Sequence, residues 1–308
     1  MLKPHPPADA TDAEVRNRQI GVGLMLLGAI LFSCKAIVIK LAYQYEVTSI
    51  TLLGLRMAFA LPLFLLIAWF RRERTETHGP LSLRDFIVIV TLGIFGYYVA
   101  SYTDFLGLQY LSAGMERLIL FVYPTMVLLL QRLMFGTPIK PVQWLATGIC
   151  YAGIGLAFSG SDFSIGNYTA LGASLVFLSA FLYSFYVIGS GRFAPRLGTV
   201  RFTSLALVAA SLAVLLHVFF SGNTLFGLEP GLYAYGLVLA VFCTVIPSYM
   251  VTEGVRRIGA GDAAILGAIG PVATIVLEYF VLNESLNLVQ GIGAGLVILG
   301  VVIIGRNK

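Results

Sequence analysis

Residues 101–153, SYTDFLGLQYLSAGMERLILFVYPTMVLLLQRLMFGTPIKPVQWLATGICYAG, and residues 248–300, SYMVTEGVRRIGAGDAAILGAIGPVATIVLEYFVLNESLNLVQGIGAGLVILG, carry one pattern twice. A shift of 147 residues puts Ser101-Tyr102 on Ser248-Tyr249 and Gly107 on Gly254. The same shift puts Ala113-Gly114 on Ala260-Gly261, Pro124 on Pro271, Val142-Gln143 on Val289-Gln290, and Gly148 and Gly153 on Gly295 and Gly300. Single glycine matches in apolar sequence carry little weight. The gapless spacing across the whole stretch carries the reading.

Each copy belongs to a set of five apolar runs. The first set lies at 19–43, 48–70, 86–109, 114–134 and 141–159, and the second at 168–190, 199–220, 232–256, 262–282 and 287–305. A bilayer is crossed by about 20 apolar residues in a helix. Backbone groups in lipid must bond within their own segment, which makes these runs helices. The ten-residue alternating segments of a membrane barrel do not occur. An odd number of spans per copy forces the second copy to enter from the opposite side. The predicted fold is therefore an all-α integral membrane protein, ten transmembrane helices as two inverted five-helix repeats. Its expected divisions are a polar, disordered tail over 1–18 and repeats over 19–160 and 168–305.

Composition agrees. Hydrophobic residues make up 58% of the 308 and charged residues 11%, against roughly 45–50% and 25% in soluble domains. The net charge of +5 does not point to nucleic acid, because the basic residues sit between apolar runs and form no polar stripe. Cys34, Cys150 and Cys243 lie inside apolar runs, are odd in number, and form neither a disulfide framework nor a zinc-ligand cluster. The first apolar run is too long for the core of a cleaved signal and is interrupted by Lys35, so it is expected to be the first span.

Lysine and arginine favour cytoplasmic loops. With the N-terminus inside, Arg71, Arg72, Arg74, Arg84, Arg132, Lys140, Arg192, Arg196, Arg201, Arg256, Arg257, Arg306 and Lys308 all fall inside. The outside loops near 44–47, 110–113, 160–167, 221–231 and 283–286 hold neither residue type. Both chain ends are expected in the cytoplasm.

Inverted repeats are a recurring architecture of secondary transporters, with substrate held near the midplane between the halves. Gly261–Gly305, with Pro271, the run Leu282-Asn283-Glu284-Ser285-Leu286 and the series Gly291, Gly295, Gly300, resembles the drug/metabolite transporter superfamily, EamA type. The chain departs from that pattern in having Asn283 where relatives often carry glycine before the acid, and Gly136-Thr137 without an acid in the first half. The resemblance covers nearly everything after Gln19. It implies a carrier in the bacterial inner membrane that moves a small amphipathic metabolite, with amino-acid export as the substrate expectation.

Ionisable side chains within spans are costly and tend to face the protein interior. Lys35 and Arg56 lie deepest and are candidates to bind or gate substrate, with Asp104, Glu278 or a substrate carboxylate as partners. Asp104 and Glu278, whose repeat counterpart is Gln131, are the candidates for coupling to protons. Lys40, Glu116, Arg117, Glu253 and Asp262 lie nearer helix ends, where pairing between helices or snorkelling accounts for them. In the third span Phe95, Tyr98, Tyr102 and Phe105 recur at helical spacing and are expected on one face, with Tyr97 beside them. Tyr98, Ser101, Tyr102, Ser248 and Tyr249 complete the candidate binding set, an aromatic wall with a few hydroxyls. Pro62, Pro124, Pro247 and Pro271 interrupt spans, and the repeat partners Pro124 and Pro271 are candidate flexure points. The glycine series of the fifth and tenth spans suits close helix packing, within the protein or in a dimer.

No cofactor or metal is expected, no nucleotide-binding motif is present, and the implied partners are a small-molecule substrate and the lipid bilayer. Two other functions fit parts of the chain. A channel can also be built from inverted repeats. Gly172-Ala173-Ser174 with His217 on the neighbouring span is similar to the Ser-His pair of rhomboid-like intramembrane proteases, a reading that leaves the inverted repeat unexplained.

Overall fold

The computed structural model describes residues 8–70, 81–158, 168–282 and 288–306. These fold into helices throughout, with no strand among the described residues. The spans of the first half are Ala8–Ala42, Ser49–Phe70, Leu83–Tyr110, Ala113–Phe135 and Pro141–Phe158. Those of the second are Thr169–Leu197, Thr199–Phe220, Pro230–Ile258, the pair Ala260–Leu266 and Ile269–Leu282, and Leu288–Arg306. Among the described residues nine helices meet the length and apolarity needed to cross a bilayer. Pro141–Phe158, the repeat counterpart of the last of these, is the tenth.

The repeat seen in the sequence is repeated in the backbone. Elements start at residues 83 and 230, 94 and 241, and 113 and 260, each pair 147 apart. The second pair is a π-helical turn, Ile94–Val99 in the third span and Val241–Val245 in the eighth. Such turns leave carbonyls without their usual helical donor. The buried hydroxyl of Thr244 donates to the Leu239 carbonyl at 2.7 Å, and Pro247, which has no N–H, lies just beyond the turn.

Packing obeys the same pseudo-symmetry. The first span packs on the eighth and the sixth on the third, the second packs on the seventh, and the fifth packs on the tenth. At the last contact the backbones nearly touch. A methyl group on Gly153 would lie 2.7 Å from the Gly293 carbonyl oxygen, and one on Gly300 would lie 2.9 Å from that of Ala146. Residues 146 and 293 are repeat partners, as are 153 and 300. Gly148, Gly291 and Gly295 have no such neighbour. The series therefore splits into a packing face and an outward face.

Both ends of the described chain lie at one face of the bundle, since Arg18 in the first span donates to the Ile304 carbonyl in the tenth at 2.8 Å. Ten crossings require this. Two expectations change. The first helix, Ala8–Ala42, takes in residues 8–18 of the expected disordered tail. The fourth and ninth spans are also broken, not merely kinked. They stop at Phe121-Val122 and at Gly267-Ala268, and Pro124 and Pro271 stand in the first turn of the segments beyond each break.

The glycine contact gives a stability test. Gly300→Leu forces a side chain into the Ala146 backbone and is expected to cost about 1–3 kcal/mol, read as a lower Tm in detergent. Gly295→Leu, on the outward face, is expected to change stability by less than about 0.5 kcal/mol.

Candidate functional site

A cavity of about 110 Å³ lies between the two halves, lined from the first four spans and from the sixth, eighth and ninth. The breaks in the fourth and ninth spans face it through Phe121 and through Gly267, Gly270 and Pro271. Each break frees backbone groups that need partners. Across the cavity, the Tyr123 hydroxyl donates to the Ala264 carbonyl at 3.0 Å, tying the break in one half to the break in the other. Tyr97 makes a second link between the halves, with its hydroxyl 3.0 Å from Ser248 Oγ.

The charged wall comes from the first half. Lys35 Nζ lies 2.5 Å from Asp104 and 3.7 Å from Glu116, and Arg117 Nε lies 3.2 Å from Glu116. Arg117 also donates to the Phe32 carbonyl at 3.0 Å. Asp104 and Glu116 are 1% and 0% exposed, so both carboxylates sit behind the cations and only Lys35 and Arg117 reach the cavity. The placement comes from local sequence. Ser112 caps the short helix Ala113–Leu120 by accepting from the Met115 amide at 3.2 Å, which fixes Glu116 and Arg117 in its first turns.

Arg56 differs. It is 2% exposed and lines the same cavity. Its Nη2 donates to Ser101 Oγ at 3.0 Å, and its guanidinium lies 5.1 Å from the Phe105 ring centre and 5.8 Å from that of Tyr97. Its Nε has no hydrogen-bond partner, and no carboxylate pairs with it among the described residues. Two ring contacts supply about 0.5–2 kcal/mol each, against a penalty of several kcal/mol for a charge withdrawn from water.

Of the residues singled out in the sequence, Lys35, Arg56, Ser101 and Pro271 line the cavity, Asp104 stands one contact behind Lys35, and Ser248 bonds Tyr97. Pro124 sits beside Tyr123 at the break. Tyr98, Tyr102 and Tyr249 lie elsewhere. Tyr98 bonds His217 Nδ1 at 2.9 Å, and Tyr102 packs on that imidazole at 4.9 Å and borders a second cavity with Lys40 and Glu46. Tyr249 bonds Ser204 at 2.8 Å. The expected single aromatic face is split by the π-helical turn, which rotates the later residues of the span by one residue position, about 100°. Phe95 ends 54% exposed, Tyr97 turns inward and Phe105 is buried. The Glu278 side chain lies outside the described residues.

Glu116 and Arg117, expected as helix-end residues, belong to the central cluster, and Tyr123 and Tyr183 add to its wall. Tyr123 is signalled in the sequence only by its neighbour Pro124. Ser174 donates to the Ala170 carbonyl at 2.8 Å while His217 is held by Tyr98, so the two do not form a nucleophile–base pair.

The pattern of EamA-like transporters matches residues 19–159 and again 170–306. The chain belongs to the EamA-like transporter family. It is 31% identical over 296 residues to the uncharacterized transporter YcbK of Bacillus subtilis, covering 92% of each chain. It is 26% identical to an uncharacterized transporter of Synechocystis, over 94% of each. The uncharacterized inner membrane transporter YedA of Escherichia coli is 23% identical over 65% of this chain and 64% of its own. A solved crystal structure superposes with a TM-score of 0.72 at 17% identity, over 92% of this EamA-like chain and 95% of that one, a likeness of fold.

The ion pairs predict a double-mutant signature. Lys35→Met leaves Asp104 uncompensated and is expected to destabilise by about 3–5 kcal/mol. Adding Asp104→Asn is expected to recover part of that loss, measured as Tm in a four-member cycle.

Proposed function

We propose that the chain is an alternating-access carrier in the bacterial inner membrane that exports small amphipathic metabolites, with amino acids as the substrate class. Arg56 carries this reading: a buried cation with no acid partner among the described residues, on the wall of a cavity shared by two inverted halves. A carboxylate satisfies the cation, and Phe32, Phe121 and Tyr123 offer apolar surface to a side chain.

The halves can exchange conformations because their packing contacts are paired. At the face bearing both chain ends, taken as cytoplasmic from the charge pattern, Arg18 lies 3.2 Å from Asp262, which accepts from Gln143 at 2.9 Å. These bonds join first-half and second-half spans, so they must break when the pathway opens there. Asp104 is the coupling group in this reading. Taking up a proton weakens its hold on Lys35 and changes the charge of the cavity wall. Glu278 is the second coupling candidate, and Pro124 and Pro271 are the flexure points.

Counterflow of labelled amino acids into liposomes of purified protein tests the reading. Saturable exchange that collapses in Arg56→Gln is expected, and flux linear in concentration would instead mark a channel. Asp104→Asn is expected to flatten the pH dependence of exchange, and an unchanged pH profile removes Asp104 from coupling.

A further inference from the structure

We infer that the Arg56 guanidinium seats the anionic group of the substrate, and that the cavity therefore takes small carboxylates with an apolar body, ranks zwitterionic amino acids below simple anions and rejects cationic amines. The inference rests on the carrier reading and sharpens its substrate class.

The charge count at the cavity decides the sign. Three cations, Lys35, Arg56 and Arg117, reach the lining, and among the described residues no carboxylate does. The two acids of the cluster are paired as ions, Asp104 with Lys35 at 2.5 Å and Glu116 with Arg117 at 3.2 Å, while Asp104 Oδ1 and both Glu116 oxygens accept no hydrogen bond. Buried behind the cations, neither carboxylate lies on the lining where a ligand would touch it. Arg56 is left with one serine hydroxyl and two ring faces. A planar guanidinium with unused N–H groups matches the two oxygens of a carboxylate.

Among the described residues a ligand ammonium finds no equivalent partner on the lining. It would meet three positive side chains first, and with Lys35 and Arg117 balanced by the two acids the group still carries one net positive charge, at Arg56, that repels it. To reach Asp104 or Glu116 it would have to pass Lys35 and Arg117, which stand between both acids and the cavity. A zwitterion therefore gains at its carboxylate and loses at its amine. A simple carboxylate keeps the gain alone. Selection of this kind works by exclusion as much as by attraction.

Three probes with one phenylalkyl body separate these contributions: 3-phenylpropionate as anion, L-phenylalanine as zwitterion and phenethylamine as cation. Binding to purified protein and counterflow in liposomes are measured for each. The expected order is anion, then zwitterion, with the cation inert. Arg56→Gln is expected to weaken 3-phenylpropionate by about 10- to 100-fold, and Arg56→Lys by less, because the charge remains while the planar fork is lost. The wild-type ranking stands as a test even where a variant fails to fold. Phenethylamine exchanging as well as 3-phenylpropionate overturns the assignment. So does a protein that exchanges phenethylamine but neither carboxylate; both outcomes leave alternating-access transport standing, and the second removes amino acids as its substrate class. A protein that exchanges no solute at all overturns the carrier reading along with the assignment.

Discussion

Charge withdrawn from water must find charge or dipoles, and in a bilayer it must find them within the protein. The cluster of Lys35, Asp104, Glu116 and Arg117 meets that demand by joining the first, third and fourth spans at the centre of the bundle. The rest of the site is arranged around it. The acids lie deepest, the cations lie between acids and cavity, and Arg56 from the second span adds a positive charge that the cluster does not neutralise.

The polar wall belongs to one half only. The repeat counterparts of Asp104, Glu116 and Arg117 are Val251, Ala263 and Ala264, so the second half offers small and apolar surface where the first offers charge. The two halves therefore share a backbone plan and divide the chemistry. The first half carries electrostatics, while the second contributes the broken ninth span with Gly267, Gly270 and Pro271, which lets the wall approach closely. Hydrogen bonds from Tyr123 to Ala264 and between Tyr97 and Ser248 couple the two parts across the hollow. A rocking motion would have to break or carry these contacts, together with the polar bonds of Arg18, Asp262 and Gln143 at the face holding the chain ends.

Much of the architecture is readable in sequence, because span length and repeat spacing are set by the bilayer and by symmetry. The offset between Pro124 and Pro271 locates both helix breaks. The pairing of Lys35 with Asp104 obeys the rule that intramembrane charges seek partners. The aromatic face of the third span misleads, since a π-helical turn leaves no residue signature there and moves Tyr97 in while sending Phe95 out. Glu116 and Arg117 mislead for a different reason. Their span is broken after Leu120, so distance along the sequence from the helix end does not measure depth in the bundle. Tyr98 and Tyr102 are drawn aside by His217, a partner four spans later that spacing alone does not reveal.

A cavity enclosed by two inverted halves should open to each face of the membrane in turn. Thiol labelling of Ser33→Cys, a cavity-lining position on the first span, reads this directly in a background with Cys34, Cys150 and Cys243 replaced. A membrane-impermeant reagent is applied from each side of oriented vesicles with and without a transported solute. Labelling from both faces is expected, with the solute shifting the balance between them. Labelling confined to one face under every condition would be incompatible with alternating access.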